Sequence, residues 1–270
     1  MHIQGRRVLL TGACGGLGRA LAAALQQAGT QLVLSARQSE PLHQLAASLP
    51  GSLPIVADLS LAQDIDALIE QAGEIDILIA NAGQAGTGEL GDWSTAAIDS
   101  CLAVNLRAPI LLAQKLLPGM RARGRGHLLF INSVAGKMAS PLASLYSASK
   151  YGLRGFADSL RLDLQGSGVD VTSIFPGPIR DAGMYANSGA PIPRGAACPS
   201  TDEVSRRVIR ALERRTMNVD VCARAMQMGI HIAHFSPTLN ARLQNLLDTR
   251  SKAASFARGH QQRQVGKRPS

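Results

Sequence analysis

Apolar residues along this chain gather in seven short runs that are separated by stretches with helical spacing. The runs cover residues 7–10, 32–34, 54–57, 77–80, 128–131, 169–175 and 219–222. Between them, apolar residues recur every three to four positions, as they do in amphipathic helices. Nearly continuous apolar strands that alternate with helices predict an α/β fold, a doubly wound parallel sheet of about seven strands with helices on both faces.

Glycines cluster where the first predicted strand turns into the first predicted helix. Gly12, Gly16 and Gly18 follow the strand at once, and helical periodicity begins at residue 20. Such a turn lets backbone amides approach a pyrophosphate, which the positive end of the helix dipole attracts. The pattern predicts a dinucleotide-binding turn, although a glycine turn without a ligand has the same spacing. A Walker-type phosphate loop is excluded, because no Gly-Lys-Ser/Thr sequence closes the turn.

The second predicted strand runs into Ser35, Ala36 and Arg37. At this point of a dinucleotide-binding unit an acid binds the ribose hydroxyls, whereas an arginine accommodates a 2′-phosphate. No carboxylate is present to repel a phosphate, and Arg37 can pair with one through charge-assisted hydrogen bonds. The sequence therefore favours NADP(H) over NAD(H). The alternative is an ordinary solvated arginine at a strand end.

Tyr146 and Lys150 lie four residues apart in a helical stretch, and Ser133 precedes Tyr146 by thirteen residues. Residues i and i+4 share one face of a helix, so the ammonium can lie beside the phenol. Free tyrosine titrates near ~10, and a close positive charge lowers that pKa toward the range of a useful acid/base. The spacing predicts proton transfer by Tyr146. A packed tyrosine beside a solvated lysine is the alternative.

Together with further motifs, these features resemble the short-chain dehydrogenase/reductase (SDR) family over about residues 5–220. The resemblance implies a Rossmann-type sheet, a set of cofactor positions and a set of catalytic positions. The cofactor positions are Thr11, Gly12, Gly16, Leu17, Gly18, Arg37, Asp58, Asn81, Ala82, Gly83, Tyr146, Lys150, Pro176, Gly177 and Ile179. The catalytic positions are Asn105, Ser133, Tyr146 and Lys150. The chain departs from the family pattern at Ala80, where an Asn is common, and at Asp181, where a Thr usually contacts the cofactor's carboxamide.

The resemblance implies hydride transfer between a nicotinamide and a carbonyl or secondary alcohol. Tyr146 would be the general acid/base, and Ser133 would hold the substrate oxygen. Lys150 would lower the pKa of Tyr146 and bind the nicotinamide ribose, while Asn105 would position a water that links Lys150 to solvent. The resemblance also implies a homodimer or a homotetramer. Two alternatives are a redox-silent, dinucleotide-binding regulatory protein, which would have no use for the proton relay, and an extended-type epimerase or dehydratase, whose glycine spacing differs.

Composition is consistent with one catalytic domain over residues 1–249. A chain of this length can bury about three quarters of its unfolded surface in one core, and 46% of its residues are hydrophobic. The four cysteines show no paired metal-ligand spacing, so we expect free thiols and no metal site. Nothing before the first strand resembles a secretory leader, which favours a reducing, cytoplasmic location.

The net charge of +9 is concentrated at the C-terminus. Residues 250–270 contain six Lys and Arg and no acid, which leaves +3 for residues 1–249. We expect a disordered basic tail that can make weak contact with a membrane surface. Specific binding to nucleic acid is not expected, because Phe256 is the only aromatic residue in this segment and cannot form a stacking platform alone.

Two segments are expected to shape the substrate pocket. Residues 180–199 are rich in Gly, Ala and Pro and have the length of a lid. Residues 223–240 contain an apolar cluster that includes Met226, Met228 and Phe235, which can line a pocket or cover the core. With Leu142, Leu145 and Met184, this cluster favours an apolar carbonyl or alcohol as the substrate.

Overall fold

Seven parallel strands form a single sheet in the computed structural model, which describes residues 2–188, 198–246, 249–250, 253–255 and 257. The strands are β1 (Arg7–Thr11), β2 (Gln31–Ala36), β3 (Leu53–Val56), β4 (Ile77–Ala80), β5 (Gly126–Ile131), β6 (Val169–Pro176) and β7 (Asn218–Val221). Their order across the sheet is β3-β2-β1-β4-β5-β6-β7, and each pair of neighbours is parallel. The doubly wound sheet predicted from the apolar runs is confirmed. Strands β3 and β7 each lie one residue earlier than the predicted runs 54–57 and 219–222.

Helices connect the strands and cover both faces of the sheet. They are α1 (Gly16–Gln27), α2 (Ser39–Ala47), α3 (Ala62–Ala72), α4 (Thr95–Leu102), α5 (Ala108–Ala122), α6 (Ser144–Asp163), α7 (Gly183–Ser188), α8 (Thr201–Arg214), α9 (Arg224–Phe235) and α10 (Pro237–Leu246). A π-helical turn, Ala103–Arg107, joins α4 to α5. The start of α8 follows its sequence signal, since the Ser200 hydroxyl accepts a hydrogen bond from the Glu203 amide as an N-cap.

Two apolar cores lie on opposite faces of the sheet. On one face, Leu10 and Ile79 pack with Leu21 of α1 and Val208 of α8. On the other face, α3, α5 and α6 cover the sheet, and Phe130 of β5 meets Phe156 of α6 edge to face with ring centroids 5.8 Å apart. Because strand side chains alternate between faces, a buried parallel strand supplies both cores at once.

Strand order places a crevice at the carboxyl ends of β1 and β4. The chain winds outward from β1 to β3, then returns to β4 on the other side of β1. The connections therefore leave these two neighbouring strands toward opposite faces of the sheet, and ligands bind at such a switch point in open α/β sheets. The glycine turn follows β1, and Asn81 follows β4, so both lie at this edge.

A continuous helical stretch from Thr95 to Ala122 is long and apolar enough to cross a membrane by length and composition alone. It comprises α4, the π-helical turn and α5. Leu112, Ala113 and Met120 on this stretch are buried in the core beneath the sheet, and α5 packs on α3. Its apolar composition follows from this position within the fold.

The described residues of the basic tail are helical, whereas the sequence predicts a disordered tail. Residues 249–250, 253–255 and 257 are helical, and Ala257 is buried. Alanine is the strongest helix former, and residues 253, 254 and 257 are all Ala, which favours a helix over disorder. The rest of the tail lies outside the described residues.

Candidate active site

A cavity of about 1160 Å³ runs along the carboxyl edge of the sheet. Its volume exceeds the roughly 300–1,000 Å³ of most small-ligand pockets, so it has room for a dinucleotide and a substrate together. Of the predicted positions, its wall contains Gly12, Gly16, Leu17, Gly18, Arg37, Asp58, Asn81, Ala82, Gly83, Ser133, Tyr146, Lys150, Pro176, Gly177 and Ile179. Thr11 and Asn105 lie behind this wall.

The glycine turn fits a phosphate-binding role. Gly12 has a φ of +64°, and a Cβ at this residue would lie 2.7 Å from Ala82 Cα. A Cβ at Gly18 would overlap the carbonyl oxygen of Gly12. Helix α1 then begins at Gly16 without a side-chain cap and without an acid in its first turn. Its N-terminal amides are therefore available to an anion, which the helix dipole would also attract.

Thr11 and Asn81 fasten the turn to the neighbouring strand. The Thr11 hydroxyl accepts hydrogen bonds from the amides of Asn81 and Ala82, both at 3.1 Å. In return, Asn81 Nδ2 donates to the carbonyl oxygens of Thr11 and Gly12, at 3.0 and 3.1 Å. Thr11 is buried, and its hydroxyl oxygen accepts both of these bonds. It positions the cofactor turn from behind.

Charged and polar groups lie at the end of the cavity beside β2 and β3. Arg37 is exposed in the wall, and its charge helps to lower the pKa of Asp58. Burial alone would raise that pKa, but two hydrogen bonds from Ser60 and the Arg37 guanidinium outweigh it. Ser35 Oγ is buried in the same wall without a hydrogen-bond partner among the described residues. An unpartnered hydroxyl, a carboxylate and an arginine suit the hydroxyls, base and phosphate of an adenosine unit.

Tyr146, Ser133 and Lys150 meet in the middle of the cavity. The Ser133 hydroxyl lies close enough to the Tyr146 hydroxyl to lower its pKa. Lys150 is 4% exposed, and its Nζ donates to the Ile131 carbonyl oxygen at 3.0 Å. That nitrogen lies 5.8 Å from the centre of the Tyr146 ring. The strand end of β5 and the first turns of α6 thus bring together three residues that the sequence spacing singled out.

The pKa of Tyr146 moves opposite to the expected direction. Burial raises it to about 12, and the neighbouring Ser133 hydroxyl opposes this only in part. Burial likewise lowers the pKa of Lys150 to about 8, with a partly compensating rise from the Cys101 sulfur. We had expected Lys150 to lower the pKa of Tyr146. Loss of hydration outweighs that attraction here, and the ammonium is engaged by the Ile131 carbonyl.

Asn105 lies behind the cavity wall in the π-helical turn, where it is 1% exposed. Its Oδ1 accepts from the Gln84 amide at 2.7 Å, and its Nδ2 donates to the Gln84 carbonyl at 2.9 Å. Nδ2 also lies 3.2 Å from the hydroxyl of Ser149, which donates to the Tyr146 carbonyl. Asn105 therefore ties the loop after β4 to the helix that carries Tyr146. The relayed water predicted for it stays a prediction.

Asp181, where the family pattern has a threonine, bonds away from the cavity to the start of α8. Its carboxylate accepts from the Thr201 amide at 2.9 Å and from the Thr201 hydroxyl at 3.1 Å. Beside it, Arg180 bonds the carbonyl oxygens of Cys198 and Pro199, both at 3.1 Å. These contacts clamp the two ends of the predicted lid together at its base.

The described part of the predicted lid crosses the cavity near the glycine turn. A Cβ at Gly16 would overlap Ala182, and one at Gly83 would lie 3.4 Å from Met184 Cε. Helix α7 continues the segment to Ser188, and Tyr185 faces the cavity. Residues 189–197 of the predicted lid lie outside the described residues. Closure on a ligand stays a prediction.

Mixed apolar and polar side chains form the end of the cavity farthest from Arg37. They include Thr87, Trp93, Leu142, Tyr185, Met226 and Ala253. Leu142 has a φ of +57°, which is a strained conformation for a side chain of this kind. Its carbonyl accepts from the Gly88 amide at 2.8 Å, which holds the loop against the strand-β4 side of the cavity. Leu142 and the predicted pocket segment 223–240 both contribute to this wall.

Comparison with known proteins decides the family. A model described as short chain dehydrogenase matches residues 6–191, more than half of the chain. This protein belongs to the short-chain dehydrogenase family. It is an oxidoreductase of that family, in agreement with the motifs and the strand order described above.

Individual members of the SDR family match most of the chain. A ketoacyl reductase, HetN from Nostoc sp., is 34% identical over 227 residues, which are 81% of this chain and 79% of that protein. A short-chain dehydrogenase from Sphingobium yanoikuyae, solved in complex with NADPH, is 27% identical with a TM-score of 0.74, over 90% of this chain and 95% of that one. An SDR from Burkholderia phymatum, solved with NAD, shares the fold with a TM-score of 0.78 at 21% identity, over 88% and 96% of the two chains.

Sequence reasoning missed several residues of this SDR site. Asn132 is 3% exposed in the cavity wall, and its Oδ1 accepts from the Ser133 amide at 2.9 Å. Gln84 and Ser149 are the partners of Asn105, and Cys101 lies between Asn105 and Lys150. A polar residue at the end of a buried strand was a usable signal for Asn132. Nothing in the local pattern distinguishes Gln84, Ser149 or Cys101 from ordinary surface or core residues.

Proposed function

We propose that this SDR protein is an NADP(H)-dependent oxidoreductase that transfers a hydride between nicotinamide and a carbonyl or secondary alcohol of an apolar substrate. The observation that carries the proposal is that Tyr146 and Ser133 converge beside the buried Lys150, in the wall of a cavity that continues to the glycine turn. A site that only bound the dinucleotide would not need a paired phenol and hydroxyl at its centre.

Tyr146 is the proton donor in the direction of carbonyl reduction. When bound, the nicotinamide supplies the hydride for the carbonyl carbon, and negative charge then develops on the substrate oxygen. With a pKa of about 12, Tyr146 is fully protonated at neutral pH and is ready to donate to that oxygen. In the opposite direction the same hydroxyl has to lose its proton first, which its raised pKa disfavours.

Ser133 and Lys150 support that proton transfer. The Ser133 hydroxyl lies beside Tyr146 and accepts from the Ala135 amide at 3.1 Å, so its own hydrogen can be donated to the substrate oxygen. Lys150 has a pKa of about 8 and is mainly charged at neutral pH, so it stabilises the phenolate left after transfer. Its ammonium has three donor hydrogens, and one is held by the Ile131 carbonyl. The others are available to a ribose hydroxyl.

Arg37 supports the preference for NADP(H). It is exposed at the end of β2 in the cavity wall, close enough to Asp58 to add to the two Ser60 hydrogen bonds that lower the pKa of that carboxyl. A guanidinium can hold a 2′-phosphate by two parallel hydrogen bonds. The 27% identical structure with NADPH is compatible with this assignment. For the substrate, support comes from the apolar lining by Leu142 and Met226 and from the relative called ketoacyl reductase, whose name denotes a carbonyl on an acyl chain.

Parallel fluorescence titrations with NADPH and NADH test the cofactor assignment. We expect NADPH to bind more tightly, and Arg37→Ala to weaken NADPH by about 10- to 100-fold while leaving NADH unchanged, as the loss of a charge-assisted bond predicts. Arg121→Ala, on an exposed position of α5 outside the cavity wall, is the matched control. Equal binding of both cofactors to the wild type would remove Arg37 from the site.

A reductase assay with Tyr146→Phe tests the chemistry. Turnover of a panel of apolar ketones with NADPH should fall by about 10²–10⁴-fold, because a phenyl ring cannot donate a proton. Cofactor binding should persist. Tyr151→Phe, one turn further along α6 and 42% exposed, controls for the loss of a hydroxyl on the same helix. Wild-type protein that binds NADPH but reduces none of the ketones, even with the lid segment intact, would favour a regulatory protein instead.

A further inference from the structure

We propose that the exposed face of helices α9 and α10 docks on an anionic lipid surface. This α9–α10 face is defined by Arg224, Met228, His231 and Phe235 on α9 and by Leu239, Arg242 and Leu246 on α10. On each helix these residues are three or four positions apart and therefore share one side. The proposal is independent of the redox chemistry assigned above.

The large apolar side chains on this face are exposed to solvent and do not belong to the core. Phe235 is 84% exposed, Leu246 82% and Met228 66%, and Leu239 is exposed as well. The opposite side of α9 packs on the protein, since Ile230 is buried and Met226 lines the cavity. Single exposed apolar residues are ordinary, but four on two consecutive helices indicate a surface that meets something apolar.

The positive charge of residues 224–270 indicates that the partner of this face is anionic. From Arg224 to the end of the chain there are eight basic residues and one acid, Asp248. The basic residues are Arg224, Arg242, Arg250, Lys252, Arg258, Arg263, Lys267 and Arg268. Apolar side chains interleaved with arginines and followed by a basic segment are typical of helices that lie in the interface of an anionic bilayer. Long arginine stems can keep their charge at the headgroups while the apolar side chains enter the acyl boundary.

A second copy of the chain is a poorer occupant for the same reason. In a two-fold symmetric contact this face would meet itself, so Arg224 and Arg242 would approach like charges across the interface. No acidic residue lies on α9 or α10 to pair with them. An anionic surface supplies the missing charge.

The α9–α10 face is also attached to the substrate end of the cavity. Gln244 on α10 donates to the Ala139 carbonyl oxygen at 2.6 Å, and Arg250 pairs with Glu89 at 3.0 Å. Ala253, just beyond, lines the cavity. Docking by this face would hold that end of the cavity next to the lipid, where an apolar carbonyl or alcohol dissolves.

Sedimentation of the full-length protein with vesicles tests the proposal. One set contains phosphatidylcholine alone, and the other contains phosphatidylcholine mixed equally with phosphatidylglycerol. We expect binding to the mixed vesicles, weakened by salt, and weaker binding to the neutral ones. The double variant Phe235→Ser, Leu246→Ser should lower the partition coefficient by about tenfold or more, since each side chain loses its apolar contact with the lipid.

A matched double variant, Leu61→Ser with Leu162→Ser, removes exposed apolar side chains elsewhere on the surface and should leave vesicle binding unchanged. Urea unfolding of every variant separates a folding defect from a docking defect. If the Phe235→Ser, Leu246→Ser variant bound vesicles as well as the wild type and the binding were still weakened by salt, the contact would lie in the basic segment alone. That result would overturn the proposal. Absence of wild-type binding to either vesicle would also overturn it. If the Phe235/Leu246 variant instead turned a dimer into a monomer in solution, the occupant would be a second copy.

Discussion

The two ends of the cavity are built differently. The cofactor end comprises residues 11–18, 35–37 and 81–83, and the substrate end comprises residues 138–145, 180–188 and 223–246. At the cofactor end, four hydrogen bonds join Thr11 and Gly12 to Asn81 and Ala82, about 70 residues away in sequence. The substrate end is held mainly at its margins, for example by Gly88 with Leu142 and by Gln244 with Ala139.

This difference matches the tasks of the two ends: the cofactor end has to bind the same groups in every reaction, whereas the substrate end can vary. A dinucleotide presents the same phosphates to every enzyme that uses it, so the groups that meet it belong on rigid strand ends. Substrate recognition tolerates adjustable segments, because apolar contacts are not directional. Tyr146, the proposed proton donor, lies between the two ends on α6, the helix that Asn105 and Ser149 tie to the rest of the site.

The largest effect should come from the sheet that supports both ends. His127 on β5 is fully buried, and burial lowers its pKa to about 3. Thr172 donates its only hydroxyl hydrogen to the Thr216 carbonyl, so His127 Nε2–H donates to Thr172 at 2.8 Å. Its Nδ1 has no partner among the described residues and would carry the added proton without an acceptor.

Because the folded-state pKa of His127 is depressed, the unfolded chain binds the proton first as pH falls. Stability should then decrease below about pH 6.5 at roughly 1.4 kcal/mol per pH unit and level off near pH 3, a total of about 5 kcal/mol. Urea unfolding at pH 7 and pH 5 checks this against His127→Gln, which keeps a donor for Thr172 but does not titrate. Parallel pH dependence in the two proteins would contradict the assignment to His127.

The next effect tests the rigidity of the cofactor end. A methyl group at Gly18 would overlap the Gly12 carbonyl, so Gly18→Ala has to displace the turn. Overpacking of this kind costs about 1–3 kcal/mol, and we expect a loss of NADPH affinity of about 10- to 100-fold. Gly155→Ala on α6 is the control, because a Cβ there meets no atom within 4 Å. It should raise stability by about 0.5–1 kcal/mol and leave affinity unchanged. Equal cofactor affinity in the two variants would mean that the turn is adaptable.

Asp181 tests how the lid is held at the substrate end. Asp181→Ala removes the acceptor for the Thr201 amide and hydroxyl, and we expect a loss of about 1–2 kcal/mol at the start of α8 with a rise in the ketone KM. Asp181→Asn keeps one acceptor oxygen and should recover part of the loss. Asp202→Ala changes an exposed acid in the first turn of the same helix, so it controls for the helix dipole. If Asp181→Ala and Asp202→Ala had the same effect on urea unfolding and on KM, the Asp181 carboxylate would act only through its negative charge near the helix start. Its hydrogen bonds to Thr201 would then have no separate effect.

The contrast between the two ends also explains what the sequence could reveal. Strand positions, the glycine turn and the trio of Ser133, Tyr146 and Lys150 were predictable, because each depends on local spacing that only a few geometries satisfy. The raised pKa of Tyr146 was not, because it depends on burial contributed by the whole fold. The π-helical turn at Asn105 and the alternative use of Asp181 depend on partners about 20 residues away in sequence. No local pattern records such pairs.

The smallest effect, and the most specific to the substrate end, concerns Leu142. Its φ of +57° costs about 1 kcal/mol or more for a residue with a Cβ, and glycine adopts this conformation freely. Leu142→Gly should therefore keep or slightly raise the free energy of unfolding while it raises KM for apolar ketones several-fold, since the cavity loses part of its wall. Leu142→Asn, which also tolerates this φ, separates backbone strain from lost apolar contact. A variant that lost stability without any change in KM would show that Leu142 is held in this conformation for packing. In that case the strained backbone of Leu142 would serve folding alone. It would no longer indicate that the substrate end is shaped by its ligand.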